Sequence, residues 1–129
     1  MAHPVIDAWH ALVRSRDLAA LDALLDDDVV FHSPVVHTPQ RGKAITRLYL
    51  TAAMHVLNNA GFHYLREVVG ERDAVLEFAT ELDGIHVNGV DMIRWNDAGR
   101  IVDFKVMVRP LKAVNMLHQQ MGAMLQRLG

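Results

Sequence analysis

Apolar residues near the start of the chain recur at helical spacing. Val5, Ile6, Trp9, Leu12 and Val13 fall at i, i+1, i+4, i+7 and i+8, one face of a helix that Pro4 can open. Asp17 is a good N-cap for a second short helix with Leu18, Leu21, Leu24 and Leu25 on its buried side. The run Asp26-Asp27-Asp28 suits a helix C-terminus badly, because the macrodipole is negative there, and should end that helix. Val29 to Phe31 then predicts a short strand stopped at Pro34, followed by a loop over residues 34–42 with two prolines and a glycine. Ile45, Leu48, Tyr49, Ala52 and Ala53 share one face of a third helix, which Asn58 to Gly61 ends.

Beyond Gly61 the period changes to two. Strands are predicted over 62–69, 74–82, 85–95 and 100–108, separated by Gly70 to Asp73, Asp83-Gly84 and Asn96 to Gly99. Pro110 opens a closing helix with Leu111, Val114, Leu117, Met121, Met124, Leu125 and Leu128 at helical spacing. The order ααβαββββα indicates an α+β fold in which a curved antiparallel sheet wraps around helices. Such a sheet with a helical cover encloses an elongated cavity, and apolar cavities with a few polar groups are the usual ligand sites.

Composition narrows what that cavity can serve. The 129 residues suit one domain over 1–129, a cone over 5–109 and a closing helix over 110–128. A hydrophobic share of 51% supplies a core and excludes intrinsic disorder. The net charge of −2 offers no basic field for nucleic acid or an anionic membrane. Without cysteine there is no disulfide framework, thiolate metal site or cysteine nucleophile. His3, Asp7 and His10 interrupt the apolar N-terminus, so it does not resemble a secretory signal, and the expected location is cytoplasmic. No metal-ligand spacing unites the eight histidines, and no cofactor loop or nucleophile elbow occurs, so neither metal nor cofactor is expected.

Local motifs resemble those of the nuclear transport factor 2 superfamily, the cone-shaped fold that includes SnoaL-like proteins and ketosteroid isomerase. They are Arg16-Asp17-Leu18, Leu24 to Val29, Phe31-His32-Ser33-Pro34, Arg41 to Ile45 and Asp97 to Val102, in that order between residues 5 and about 110. The resemblance implies a cystatin-like cone with an extra C-terminal helix, and a homodimer paired through the outer sheet face. It also implies that Asp91 occupies the position of ketosteroid isomerase's protonated fourth-strand acid. The position of that enzyme's carboxylate base is Ser33, and that of its helix-one tyrosine is Trp9. Ser33 cannot act as a base near neutral pH, so steroid isomerisation by that route is not expected. The two-carboxylate, one-arginine set of limonene epoxide hydrolase is not expected either. Strand parity puts Asp91 opposite to Arg94, and Asp103 opposite to Arg109.

Two residues are candidates for catalysis. Asp91 lies in the otherwise apolar Gly89 to Trp95; it either faces the interior, where burial would raise its pKa, or bonds to a neighbouring strand or Arg94. By residue type alone His32 is the best candidate base, but it alternates with Ser33, so it enters the cavity only through a bulge. Trp9, Phe31, Ser33, Tyr49, Phe78, Ile93, Phe104 and Val106 are the candidate ligand-binding set, although the apolar ones could equally fill a core. The expected function is binding of a small hydrophobic organic molecule, with isomerase, cyclase or lyase acid–base chemistry. The alternative is a non-catalytic binding or dimeric interaction module. The closing helix could cap the cone, meet a second subunit or pack on its own sheet.

Overall fold

A computed structural model describes residues 3–128; Met1, Ala2 and Gly129, the ends of the expected 1–129 domain, lie outside the described residues. Helix α1 (Pro4–Ser15) begins with Pro4 in its first turn, and the His3 ring accepts from the Val5 amide. It ends at Arg16 in the left-handed region, φ 58°. Asp17 caps α2 (Leu18–Leu24) by accepting from the amides of Ala19 and Ala20.

Strand β1 (Leu25–His32) begins four residues earlier than its hydrophobic run suggests, and so contains the acidic triplet. Leu25 is completely buried opposite Ile101, while Asp27 and Asp28 point to water, so the triplet is tolerated at a solvated strand end. The predicted loop over 34–42 contains β2 (Gln40–Arg41), two residues that pair with Val30 and Phe31.

Helix α3 (Lys43–Leu57) buries Thr46, Leu50, Thr51, Ala52, Met54, Val56 and Leu57, so the buried face takes in Ala52 of the expected set and is broader than that set. Ile45, Leu48 and Tyr49 are only half-buried. Thr46 is buried although polar, and its hydroxyl has no hydrogen-bond partner among the described residues.

β3 (His63–Val69), β4 (Asp73–Leu82), β5 (Ile85–Trp95) and β6 (Ile101–Arg109) form a meander, and the sheet order is β2-β1-β6-β5-β4-β3. The sheet is curved, unclosed and mixed, because β1 runs parallel to β6 while every other neighbour is antiparallel. A hairpin turn fixes the direction of its two strands, but β1 reaches β6 only through α3 and four more strands. Sequence spacing leaves that direction open. Alternate residues of β4 and β5 face the helices, from Ala74 to Leu82 and from Val87 to Trp95, and form the core with α1 and α3. At Gly89 the facing residue has no side chain, and the Phe78 ring occupies the space a Cβ would need, 2.5 Å away. Helix α4 (Leu111–Leu128) buries only Ala113 and Leu117 fully. Among the described residues no helix is long and apolar enough to cross a membrane.

Candidate active-site cavity

The concave face of the sheet and the helices enclose a cavity of about 200 Å³. Trp9 and Val13 of α1 and Tyr49 and Ala53 of α3 line one side; Phe78, Asp91, Phe104 and Val106 of the sheet line the other. Phe31 at the end of β1 packs against Tyr49 and Phe104, with ring centroids 5.4 and 6.2 Å away. The loop Ser33 to Val36 and the α4 stripe Leu117, His118, Met121, Gly122 and Leu125 complete the wall. Val36, His118 and Gly122 are exposed as well as lining, so the cavity meets water between that loop and α4.

Asp91 is the buried ionisable group of this space, 6% exposed. Its strand partners are Leu76 and Val106, both buried and apolar, so little solvates a charge there. Burial pushes its pKa from the ordinary carboxylate range up to about 7, against a hydrogen bond that works the other way. That bond comes from Tyr64, whose hydroxyl donates to Asp91 Oδ2 over 3.0 Å. The Tyr64 oxygen in turn accepts from Trp9 Nε1–H at 2.9 Å. An indole N–H can only donate, so the Tyr64 proton is aimed at Asp91. Burial, and next the Asp91 charge, hold the Tyr64 hydroxyl well above the ordinary phenol range.

Most other polar groups of the lining are committed. Asn58 Nδ2 donates to the Val13 carbonyl, and Ser33 Oγ accepts from the amides of Val35 and Val36. Ser33 therefore serves the loop geometry. Among the described residues, the lining groups without a hydrogen bond are Asp91 Oδ1, Asn58 Oδ1, the Tyr49 hydroxyl and the His118 imidazole.

Seven of the eight residues chosen from the sequence as ligand-binding line this cavity: Trp9, Phe31, Ser33, Tyr49, Phe78, Phe104 and Val106. Ile93 does not; it is buried in the core between Ala74 and Phe104, one strand pitch beyond Asp91. His32 lies on the opposite face of the sheet, where Nε2 is 2.7 Å from Asp103 Oδ1, so no bulge carries it inward. Arg94 is on that outer face too, bonded to Asp73, and Arg109 donates to Asn88. Among the described residues no three His, Asp or Glu side chains converge on a metal-sized site.

Tyr64 was not legible as a site residue. Its strand, His63-Tyr64-Leu65-Arg66-Glu67-Val68-Val69, does not alternate, and its register shifts between Tyr64 and Glu67. Parity therefore cannot say which of its side chains face inward. The available signal was scarcity, since Tyr64 and Tyr49 are the two tyrosines of the chain.

An α+β cone whose buried carboxyl sits among aromatic rings defines the class of this protein. Residues 6–104 match the SnoaL-like domain family, and the chain belongs to it. A steroid delta-isomerase from Pseudomonas aeruginosa is 38% identical over 96% of this chain and 90% of its own, with a TM-score of 0.90. A conserved bacterial protein with a cystatin-like fold from Silicibacter pomeroyi is 32% identical over 94% and 84%, with a TM-score of 0.86. The fold alone is shared with SalBIII, an epoxide hydrolase/cyclase-like enzyme of pyran ring formation in salinomycin (16% identity, 81% and 88% covered, TM-score 0.66). No curated protein sequence matches the chain significantly.

Proposed function

We propose that this SnoaL-like protein binds a small apolar organic molecule in the cone and moves a proton on it, with Asp91 as the acid–base group. The observation that carries this reading is the Asp91 carboxyl: buried among apolar walls, held on one oxygen by Tyr64, with the other oxygen unengaged toward the cavity. A carboxyl raised to about 7 is present in both protonation states near neutral pH, as a general acid or base requires. The likeness to a steroid delta-isomerase supports an apolar carbonyl compound as substrate and proton transfer beside the carbonyl as the chemistry. Ser33 and Trp9 argue against steroid isomerisation by the route of ketosteroid isomerase. The expected assembly is a homodimer in the cytoplasm.

2-Tetralone, an apolar ketone with exchangeable protons beside its carbonyl, tests the reading in D2O. Proton NMR should show protein-accelerated loss of those signals, and Asp91→Asn should slow it on the order of a hundredfold. No acceleration by the wild-type protein would overturn the reading. A second reading, a binding module without chemistry, is favoured by Ser33, whose hydroxyl is spent on the loop and leaves β1 without a base. It predicts saturable binding of 2-tetralone with no exchange.

A further inference from the structure

We propose that His118 of α4 is the proton-transfer partner of Asp91, supplied by the closing helix in place of the base that β1 lacks. This rests on the reading that the cavity carries acid–base chemistry. Two observations bear on this part of α4.

The first is the state of the polar lining. Trp9, Tyr64, Asn58 and Ser33 are all engaged by protein groups, whereas His118 has no hydrogen bond among the described residues. Of the unengaged groups, Asp91 is a carboxyl and His118 an imidazole, whereas Tyr49 is a phenol and Asn58 an amide. The first two stand on opposite walls, Asp91 buried on the sheet and His118 exposed on the helix. A molecule filling the space between them touches both.

The second is Gly122, one turn further along the same stripe. Glycine inside a helix destabilises it relative to alanine. It is exposed at the cavity mouth, and a Cβ built there meets no atom within 4 Å. Its φ is not in the left-handed region either. The entrance to the cavity beside His118 is therefore open to a molecule arriving from water.

The step balances without a further reactant. Neutral His118 takes a proton from the carbon next to a carbonyl, and the C–H electron pair becomes the C=C bond. The carbonyl π pair moves to oxygen, which takes the proton of the Asp91 carboxyl. The result is an enol, an imidazolium and a carboxylate. The imidazolium proton returns to carbon, at the same or a conjugated position, while the enol O–H proton returns to the Asp91 carboxylate and the carbonyl re-forms, which restores both residues.

The test uses the whole chain and 2-tetralone in D2O. His118→Gln should slow exchange about tenfold or more at saturation while changing the half-saturating concentration less than about twofold. It should leave the melting temperature unchanged, since the side chain is exposed. Added imidazole should restore much of the rate to His118→Ala and none to Asp91→Asn. Resonances of the His118 ring should shift on binding. Wild-type exchange by His118→Gln, or no imidazole rescue, would overturn the assignment and leave the Asp91 reading intact. No exchange by the wild-type protein would overturn both.

Discussion

Tyr64 donates to Asp91 from two strands away, reaching diagonally over β4 to a carboxylate oxygen 3.0 Å from its hydroxyl. The two effects on Asp91 oppose each other: removal from water favours the acid, and a donated hydrogen bond favours the carboxylate. Their balance near 7 makes the carboxyl usable in both directions. Trp9 belongs to the same device, because its N–H occupies the Tyr64 oxygen and leaves that hydroxyl proton for Asp91.

Tyr64→Phe removes the only hydrogen bond to Asp91 among the described residues and keeps the ring. A hydrogen bond to a charged group is worth about 1.5–3 kcal/mol, which corresponds to about one to two pH units. The Asp91 pKa should therefore rise above its wild-type value, as read by NMR titration of the carboxyl carbon. An unchanged or lower value would show that Tyr64 does not stabilise the carboxylate.

The same balance gives stability a pH dependence of definite sign. Asp91 titrates near 3.8 when unfolded and near 7 when folded, so the native state holds the extra proton between those values. Its contribution is present in full below about pH 4, falls as pH rises, and is gone above about pH 7. The difference amounts to roughly 4 kcal/mol. Asp91→Asn has no charge to bury, so it should melt higher than wild type at pH 8 and lose this advantage at pH 5. Parallel melting curves across that window would refute the assignment of a strongly raised pKa to Asp91.

How far the sequence reveals this molecule depends on which signal each feature leaves. Helix faces and the meander follow from spacing, since Trp9 and Leu12 or Phe78 and Thr80 must share a side. Asp91 stands out because an acid interrupts an apolar strand. The parallel pairing of β1 leaves no local trace, since pairing partners far apart in sequence are set by packing. β2 is only two residues long and sits between prolines and glycine, so no periodicity could mark it. Tyr64 is hidden by an irregular strand, and Ile93 shows the converse: correct parity places a side chain inward but cannot decide between core and cavity.

Gly89 makes room for Phe78, which lines the cavity with Asp91. A Cβ there would stand 2.5 Å from the Phe78 ring and 2.6 Å from the Met107 carbonyl oxygen. The carbonyl belongs to the neighbouring strand and cannot swing away, and Phe78 stacks on Phe62 with centroids 5.4 Å apart. Gly89→Ala should destabilise the fold by about 1–3 kcal/mol, the usual cost of overpacking. Displacing Phe78 should also weaken 2-tetralone binding. A variant with wild-type urea midpoint and affinity would show that the sheet yields there.

The outer face of the sheet predicts the assembly. Val75 lies between Val68 and Met92, and Val90 pairs with Met107, which puts five apolar side chains in one cluster across β3 to β6. Val68 is 69% exposed and Met107 48%, while the residues around them are charged: Glu77, Lys105 and the His32–Asp103 pair. An apolar centre within a polar rim is the pattern of an interface, and a face that pairs with its own copy closes after two subunits. Light scattering should give twice the 14.5 kDa chain mass at micromolar concentration. Val90→Asp places a second carboxylate opposite Glu77 in the centre of that face, so it should give single chains. The cavity lies on the other side of the sheet, so Asp91→Asn should leave the mass unchanged. A wild-type mass of 14.5 kDa, or a Val90→Asp protein that still pairs, would place the contact elsewhere or remove it.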